Sequence, residues 1–525
     1  MTQWLVSFDT DRIKDYLFAT PVLSDIRVAS GLLDRLNRED TLTVIQEVYP
    51  SFNEKDPTQC VYTAGGSALV ILPDEETAEV AIRAVERLYR QTTVTASITG
   101  VKVPISDGEL QSRFGERVCW AGHRLRKRKA EKGKGHTLPV APYMHFCDAC
   151  AQLPAAYYDA ERDELICEAC QIKRPGAGTA RRGLWEKLIG VTRGEPPDAP
   201  KEWQSLLEET IGSTTHEQHH PPDDFDDIGD SAKRKGYIAL IYADGNLMGQ
   251  VLERLNNVDE YSRFARLVDD LLLRVTYRAL MKQVQGRPGK PFEVLMAGGD
   301  DLMIVTTPDI AFDVHSEIAR DFEQYSQALV EEGLSLGTGV VIAHARYPIA
   351  AMQQLATDLQ KRAKRRSFET GGGSAVDFAV VTAAGSEDLD RIRDEALTDK
   401  GFVFSPPGET KYRLTQRPYT LEELQRLLEY AREFRKVGFP RGQLHAMYEA
   451  LFHSPVQASL AAIQTLGRVR KKHKESLWNF FQQFGVQTKV MSPPWREQWE
   501  EETQGERKRV LDSALGDLVE IYPFL

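Results

Sequence analysis

The sequence predicts an α+β chain of two ferredoxin-like units, with an irregular insert between them and a helical C-terminal part. Three observations carry that reading. A βαββαβ order of apolar runs occurs twice, a glycine-rich hairpin recurs at nearly the same interval in both copies, and composition breaks between them. The expected divisions are 1–138, 139–235, 236–400 and 401–525.

Taking the elements in order, WLVSFD (Trp4 to Asp9) reads as a strand, and Leu23 to Leu36 carries helical apolar spacing. CVYTAGGSALVILP folds back about Gly65 and Gly66, because a Gly-Gly pair between two apolar runs supplies the backbone of a tight hairpin turn. Thr77 to Arg90 reads as a helix and Val94 to Val103 as a strand. From Gly236 the order returns, with a strand from Tyr237 to Asp244, a helix from Tyr261 to Val284 and a hairpin about Gly298 and Gly299. A helix from Ile310 to Val330 and a strand from Leu336 to Ala343 complete it. Asp9 precedes Gly65 by 56 residues and Asp244 precedes Gly298 by 54. Each unit then adds a helix ending in a basic run, RLRKRKAEKGK (Arg124 to Lys134) and KRAKRR (Lys361 to Arg366). After about residue 400, TLEELQRLLEYAREF, QLHAMYEALF and LDSALGDLVEIY show helical spacing with little sign of strands.

The chain has 525 residues, with 66 Lys+Arg against 77 Asp+Glu and a formal charge of −11. That balance argues against a protein that coats nucleic acid through its overall charge, and leaves a local basic face open. No apolar run is long enough to span a bilayer, and the N-terminus reads as a strand rather than a leader, so no membrane partner and a cytoplasmic location are expected.

In the stretch EVLMAGGDDLMIVTTP, Asp300 and Asp301 begin the second strand of a buried hairpin. Adjacent carboxylates there repel one another and lose hydration unless a cation compensates. In an antiparallel ferredoxin-like sheet the first strand lies beside the hairpin, which brings Asp244 to the same end. Three converging hard oxygen ligands select Mg²⁺ or Mn²⁺. The loop after Asp244, DGNLMGQ, places Gly245, Asn246 and Gly249 at a strand-to-helix turn where backbone amides approach phosphate oxygens. Taken alone, GGDD is equally compatible with a hydrated surface turn, and Asp244 with a helix N-cap. Their joint occurrence, in register with a repeat, favours a site for a metal-bound nucleoside triphosphate.

FDTDRIKDYLFAT, YADGNLMG, the AGGDD hairpin, and GVVIAHARYPI followed by LATDLQKRAK together resemble the large polymerase/cyclase subunit of type III CRISPR effector complexes. The resemblance covers most of residues 1 to 400. It implies two palm-like domains, related to nucleotidyl cyclases, that face each other across a nucleotide cleft. It further implies a second palm that joins ATP into cyclic oligoadenylates with Mg²⁺ or Mn²⁺ and releases pyrophosphate. Asp300 and Asp301 then match the catalytic pair, Asp244 the first-strand metal acid, and Lys364 a basic position near the phosphates, with Gly298 and Gly299 beside the nucleotide. AGGSA in the first unit puts Ser67 and Ala68 where the second has two aspartates, so the first palm, about Gly65 and Gly66, is expected to bind nucleotide without chemistry. Implied partners are other effector subunits with guide RNA and target RNA. Many members begin with a His-Asp nuclease domain, whereas this chain contains no His-Asp dipeptide, which points to a stand-alone relative or a subunit without that DNA-cutting activity.

Cys147, Cys150, Cys167 and Cys170 form two C-x-x-C pairs separated by sixteen residues, a structural Zn²⁺ signature with no open position for catalysis. Cys60 and Cys119 read as core or surface residues. His216, His219 and His220, beside prolines and an acidic run, read as a linker, and RVRKKHK (Arg468 to Lys474) as a solvated helix end. Two further readings stay open: a scaffold whose nucleotide site only binds, and a cyclase making a different cyclic nucleotide.

Overall fold

The computed structural model describes residues 2–132, 143–174, 184–381, 388–404, 410–484, 493–501 and 507–525, so residues 133 and 134 of the first basic run lie outside the described residues. Strands β1 (Thr2–Asp11), β2 (Cys60–Ala64), β3 (Ser67–Leu72) and β4 (Ser97–Ser106) form an antiparallel sheet in the order β2-β3-β1-β4. This is the arrangement a βαββαβ chain reaches when its crossovers pack on one face. Helices α1 (Ile13–Leu17) and α2 (Leu23–Arg35) follow β1, and a π-turn at Leu36–Asp40 leads into α3 (Thr41–Val48). Helix α4 (Glu75–Thr93) joins β3 to β4, and α5 (Asp107–Ser112) and α6 (Phe114–Glu131) come after β4. The fourth strand starts at Ser97 rather than Val94. Thr93 Oγ1 accepts the Ala96 amide at 3.0 Å and Val94 turns to φ 66°, so the apolar start of that run closes α4.

The insert contributes a ribbon of β5 (Tyr157–Asp159) and β6 (Glu164–Ile166), then α7 (Glu168–Lys173), α8 (Trp185–Gly190), α9 (Gln204–Thr210) and α10 (Phe225–Ser231). The histidine-rich stretch expected to be a linker is packed. His216 Nδ1 lies 2.9 Å from the Tyr277 hydroxyl, His219 is buried against Phe292, and α10 buries Phe225 and Ile228. Two apolar residues inside an acidic run were enough to dock it.

The second unit runs β7 (Tyr237–Gly245), α11 (Met248–Arg254), α12 (Val258–Val284), β8 (Phe292–Gly298), β9 (Asp301–Thr306), α13 (Pro308–Ser326), β10 (Leu336–His344), α14 (Ile349–Glu369) and β11 (Ala375–Val380). Further on, β12 (Lys411–Arg413), β14 (Arg496–Glu501) and β15 (Arg507–Asp512) form a small sheet, while β13 (Tyr419–Thr420) pairs with β11. The large sheet therefore has the order β13-β11-β10-β7-β9-β8, with β11 parallel to β10. From its β8 edge, the run β8-β9-β7-β10 repeats the first unit's order β2-β3-β1-β4. The tail is less purely helical than its spacing predicts. Strands β14 and β15 pair through charges, Arg509 to Glu497 at 2.6 Å and Arg496 to Asp512 at 2.9 Å, and cross-strand ion pairs leave no apolar alternation to read. Nor does the tail keep a core of its own. Leu424, Phe434, Leu444 and Leu518 share one apolar cluster with Ile241, Ile304 and Val340 of the large sheet.

The two units pack face to face about an approximate twofold. Helix α2 of the first lies on β8 of the second, and α12 of the second lies on β2 of the first. Both hairpins carry a bulge at the same place, at Val61 and at Leu295. A bulge frees a carbonyl from the ladder, and each is met by a serine from the opposite unit: Ser262 Oγ donates to Val61 O at 2.5 Å and Ser30 Oγ to Leu295 O at 2.6 Å. Arg27 and Glu293 complete the seam as a buried ion pair.

Candidate active site

The tips of the two hairpins touch. A Cβ on Gly65 would stand 2.9 Å from Gly298 O, and one on Gly298 would stand 2.9 Å from Gly65 N, so side chains at either position would drive the units apart. Register then corrects the alignment of the two motifs. In the first hairpin Ala64 pairs with Ser67, making Gly65 and Gly66 the turn; in the second Gly298 pairs with Asp301, making Gly299 and Asp300 the turn. Asp9 faces Ser67 across β1 and β3 as Asp244 faces Asp301 across β7 and β9. The counterparts of Asp300 and Asp301 are therefore Gly66 and Ser67, not Ser67 and Ala68. The conclusion that the first hairpin lacks both acids is unchanged.

Asp244, Asp300 and Asp301 do converge at one end of the second sheet. Burial first, and then the neighbouring Asp244 carboxylate, push Asp300 up to about 6 and Asp301 up to about 8. The two aspartates look to different cations, Asp300 from the turn and Asp301 from the first residue of β9. Asp300 lies against Gly245, where a Cβ would come within 2.6 Å of its Oδ2, and on the side of Lys364. Lys364 Nζ donates to Asp244 Oδ2 at 2.5 Å and to Gly245 O at 2.8 Å, its stem crossing β10 over Gly337, where any Cβ would overlap it. Asp301 borders a cavity of about 40 Å³ between the hairpin tips, which Thr10, Ile13 and Asp34 also line. Its cation is Lys14, brought from the first unit by α1: Nζ sits 3.8 Å from the centre of the Tyr242 ring and donates to Thr357 Oγ1 at 3.2 Å, and the Tyr242 hydroxyl donates to Asp301 Oδ1 at 3.3 Å. Sequence reading missed Lys14. The signal was only its position in DTDRIKDYLF, five residues after the first-strand aspartate Asp9. Asn246 is buried, donating to Ser335 and Ser367 as an anchor for the loop, while Gly249 is exposed on α11.

In the first unit the equivalent acids are neutralised in place. Lys129 Nζ contacts Asp9 Oδ2 at 2.6 Å and Asp11 Oδ1 at 3.2 Å, and Ser67, Ser97 and Thr99 donate to the same two carboxylates. Lys129 on α6 is thus the counterpart of Lys364 on α14, and the basic run there closes a site as well as a helix.

The donor set of the second unit, three carboxylates, is of the chemical kind a hard divalent cation takes. Burial and mutual repulsion push two of them toward the neutral form despite Lys364 and Lys14. Proton and metal compete for the set, so the apparent affinity for Mn²⁺ is expected to rise steeply from pH 6 to 8 and level off above, measured by titration calorimetry. The folded-state values are raised above the ordinary 3.8. These two groups therefore stabilise the metal-free fold fully below about pH 4, and that contribution is lost as pH rises through about 6 and about 8.

The four cysteine sulfurs lie within 4.8 Å of one another, with Cys150 and Cys167 Sγ 3.8 Å apart. A tetrahedron with bonds of about 2.3 Å has edges of roughly 3.8 Å, so the set fits Zn²⁺. The knuckle is tied to the first unit by Lys173 Nζ, which donates to Tyr16 O, and by Arg162 and Arg174 on buried Asp25. Cys147→Ser is expected to lose the ion and destabilise this region by on the order of several kcal/mol, read as zinc content and thermal unfolding. Among the described residues no helix is long and apolar enough to cross a membrane.

Residues 237–369 match the family model for the Cas10/Cmr2 second palm domain. No curated protein matches the chain. Solved structures share its fold. A Csm1–Csm4 cassette in complex with pppApA superposes with a TM-score of 0.60 at 15% identity, over 99% of this chain and 69% of that one. Csm1 in T. onnurineus gives 0.58 at 15% identity over the same shares, 99% and 69%. A Csm1–Csm4 cassette in complex with cA4 gives 0.56 at 16%, over 89% and 65%.

Proposed function

From the premise that this chain is built as a Cas10-like palm polymerase subunit, we propose that it is a metal-dependent nucleotidyltransferase that converts ATP into cyclic oligoadenylates with release of pyrophosphate, in CRISPR-type antiviral defence. The observation that carries this reading is the convergence of Asp244, Asp300 and Asp301 on one hairpin tip with Lys364 against them. Neighbours of the same fold solved with pppApA and with cA4 support the choice of adenine nucleotide and of a cyclic product. A subunit of the Csm4 kind is the partner those structures suggest.

Asp244, Asp300 and Asp301 would hold Mg²⁺ or Mn²⁺. When bound, the ions supply charge neutralisation for the triphosphate and activation of the attacking 3′-hydroxyl. The residues of this chain do the rest. Lys364 would turn from Asp244 to the phosphate oxygens were that carboxylate to take metal, and of the three glycines Gly299 leaves open space for close approach, while Gly245 packs against Asp300 and Gly298 against Gly65. Asn246 holds the loop that leads to Gly249. Lys14 balances Asp301 from the other unit. Gly65, Gly66 and the Asp9–Lys129 pair offer the second nucleotide a surface without chemistry. Attack of a 3′-hydroxyl on the α-phosphorus then joins two nucleotides, and orientation with electrostatic stabilisation accounts for most of the rate.

The test is purified protein with ATP and Mn²⁺, followed by mass spectrometry of products from mixed nucleotides. Cyclic oligoadenylates and pyrophosphate are the expected products. A cyclic dinucleotide would replace this reading by another cyclase, and ATP binding without turnover, even with target RNA and partner subunits, would leave a scaffold.

A further inference from the structure

Helix α12 buries Leu267, Val268, Leu271, Leu272 and Leu273, yet holds a carboxylate among them at Asp269. Asp269 Oδ1 accepts the Gly299 amide at 2.7 Å, at the turn of the acid-bearing hairpin, and both its oxygens accept from Arg38 Nη2 at 3.0 and 2.8 Å. Arg38 Nε donates to Asp34 Oδ1 at 3.1 Å, and Lys187 Nζ donates to the same oxygen at 2.9 Å and to Ala297 O. Lys187, Asp34, Arg38 and Asp269 thus alternate in sign, and the two ends of the chain grip the hairpin backbone on either side of Gly298.

The four residues come from α8 of the insert, α2, the π-turn and α12. The π-turn is the pivot. Its extra residue breaks helical phase, and such turns gather at functional sites because they re-aim side chains. Here Asn37 Nδ2 donates to Ser67 O of the first hairpin at 3.1 Å while Arg38 serves Asp269 and so the second hairpin. One irregular turn therefore holds both tips. The charged clamp, however, grips only the hairpin that carries acids, on which the placement of Asp300 and Asp301 depends.

We infer that Asp269, held by Arg38, is a positioning residue that fixes the Gly299 turn and with it the geometry of the acid pair, coupling the first unit and the insert to chemistry in the second. The inference rests on the proposed function only for its kinetic arm. Asn at 269 keeps an oxygen for the Gly299 amide, and Leu does not. In the full chain, Asp269→Leu is expected to lower kcat for pyrophosphate release ~30- to 100-fold with KM for ATP within ~3-fold, as a small misplacement at a two-metal site does, and Asp269→Asn to recover to within ~5-fold of wild type. Hydrogen exchange over residues 296–303 supplies an arm independent of activity. At least ~10-fold faster exchange of the Gly299 amide is expected in Asp269→Leu and a smaller increase in Arg38→Met. Unchanged exchange at Gly299, or equal loss of kcat in the Asn and Leu variants, overturns the inference. Should Asp269→Leu not fold, the Asp269→Asn and Arg38→Met pair decides through the same two readouts. If wild type releases no pyrophosphate, the proposed function falls while the exchange arm still judges the clamp.

Discussion

Asp301→Asn is expected to lower pyrophosphate release by ~10³-fold or more, while raising the thermal unfolding temperature of the protein without added divalent ion. Both effects have one cause. Asp301 is pushed up to about 8 because burial and two neighbouring carboxylates oppose its charge, so it is the member of the cluster that most needs a cation. An amide of the same shape removes that repulsion and keeps the Tyr242 contact, but it supplies no charge to hold metal. The stability gain should grow from about pH 4, where the unfolded carboxyl ionises, level off above about pH 8, and vanish when Mn²⁺ is added. A variant with activity within tenfold of wild type would remove Asp301 from the site.

Arg27→Met carries the largest expected effect on stability, a loss of about 3–5 kcal/mol. Arg27 and Glu293 are only 5% and 4% exposed, and the guanidinium donates to the Glu293 carboxylate and to Pro222 O. Burial raises Glu293 toward its neutral form and Arg27 opposes this, so removing the arginine leaves a buried carboxylate with no cation to balance it. Glu293 lies at the start of β8, on the strand that leads to the hairpin tip, and loosening the seam there is expected to reduce activity as well. The double variant Arg27→Met with Glu293→Gln should recover much of the loss, because the uncompensated charge rather than the missing pair is what costs. Chemical denaturation of the three proteins measures this. A double variant no more stable than Arg27→Met would show that packing, not charge, holds the seam.

Much of the site was legible before any coordinates. A Gly-Gly turn between apolar runs, two aspartates in a strand start, and Asp244 at the end of the same unit's first strand each carry a local signal, and the repeat relates them. The one-residue shift between the hairpins was not legible. AGGSA and AGGDD align by eye, but the turn takes Gly65 and Gly66 in one and Gly299 and Asp300 in the other, and strand pairing alone determines which. The packed histidine stretch was missed because two apolar residues in an acidic run look like a linker until they find a core. The strands β14 and β15 were missed because charge pairs build them.

Lys14, Arg38, Asp269 and Lys187 mark the division most clearly. Composition, periodicity and motif spacing suffice for a repeated βαββαβ chain, a four-cysteine knuckle and three acids at one sheet end, since each depends on neighbours close in sequence or on a strand order that the repeat imposes. Which cations face those acids depends on how two units pack across a seam, with Lys14 more than two hundred residues from Asp301 in the chain. Long-range ion pairs and bulge carbonyls capped from the opposite unit have no local pattern, because the energy that selects them exists only once both surfaces are buried together.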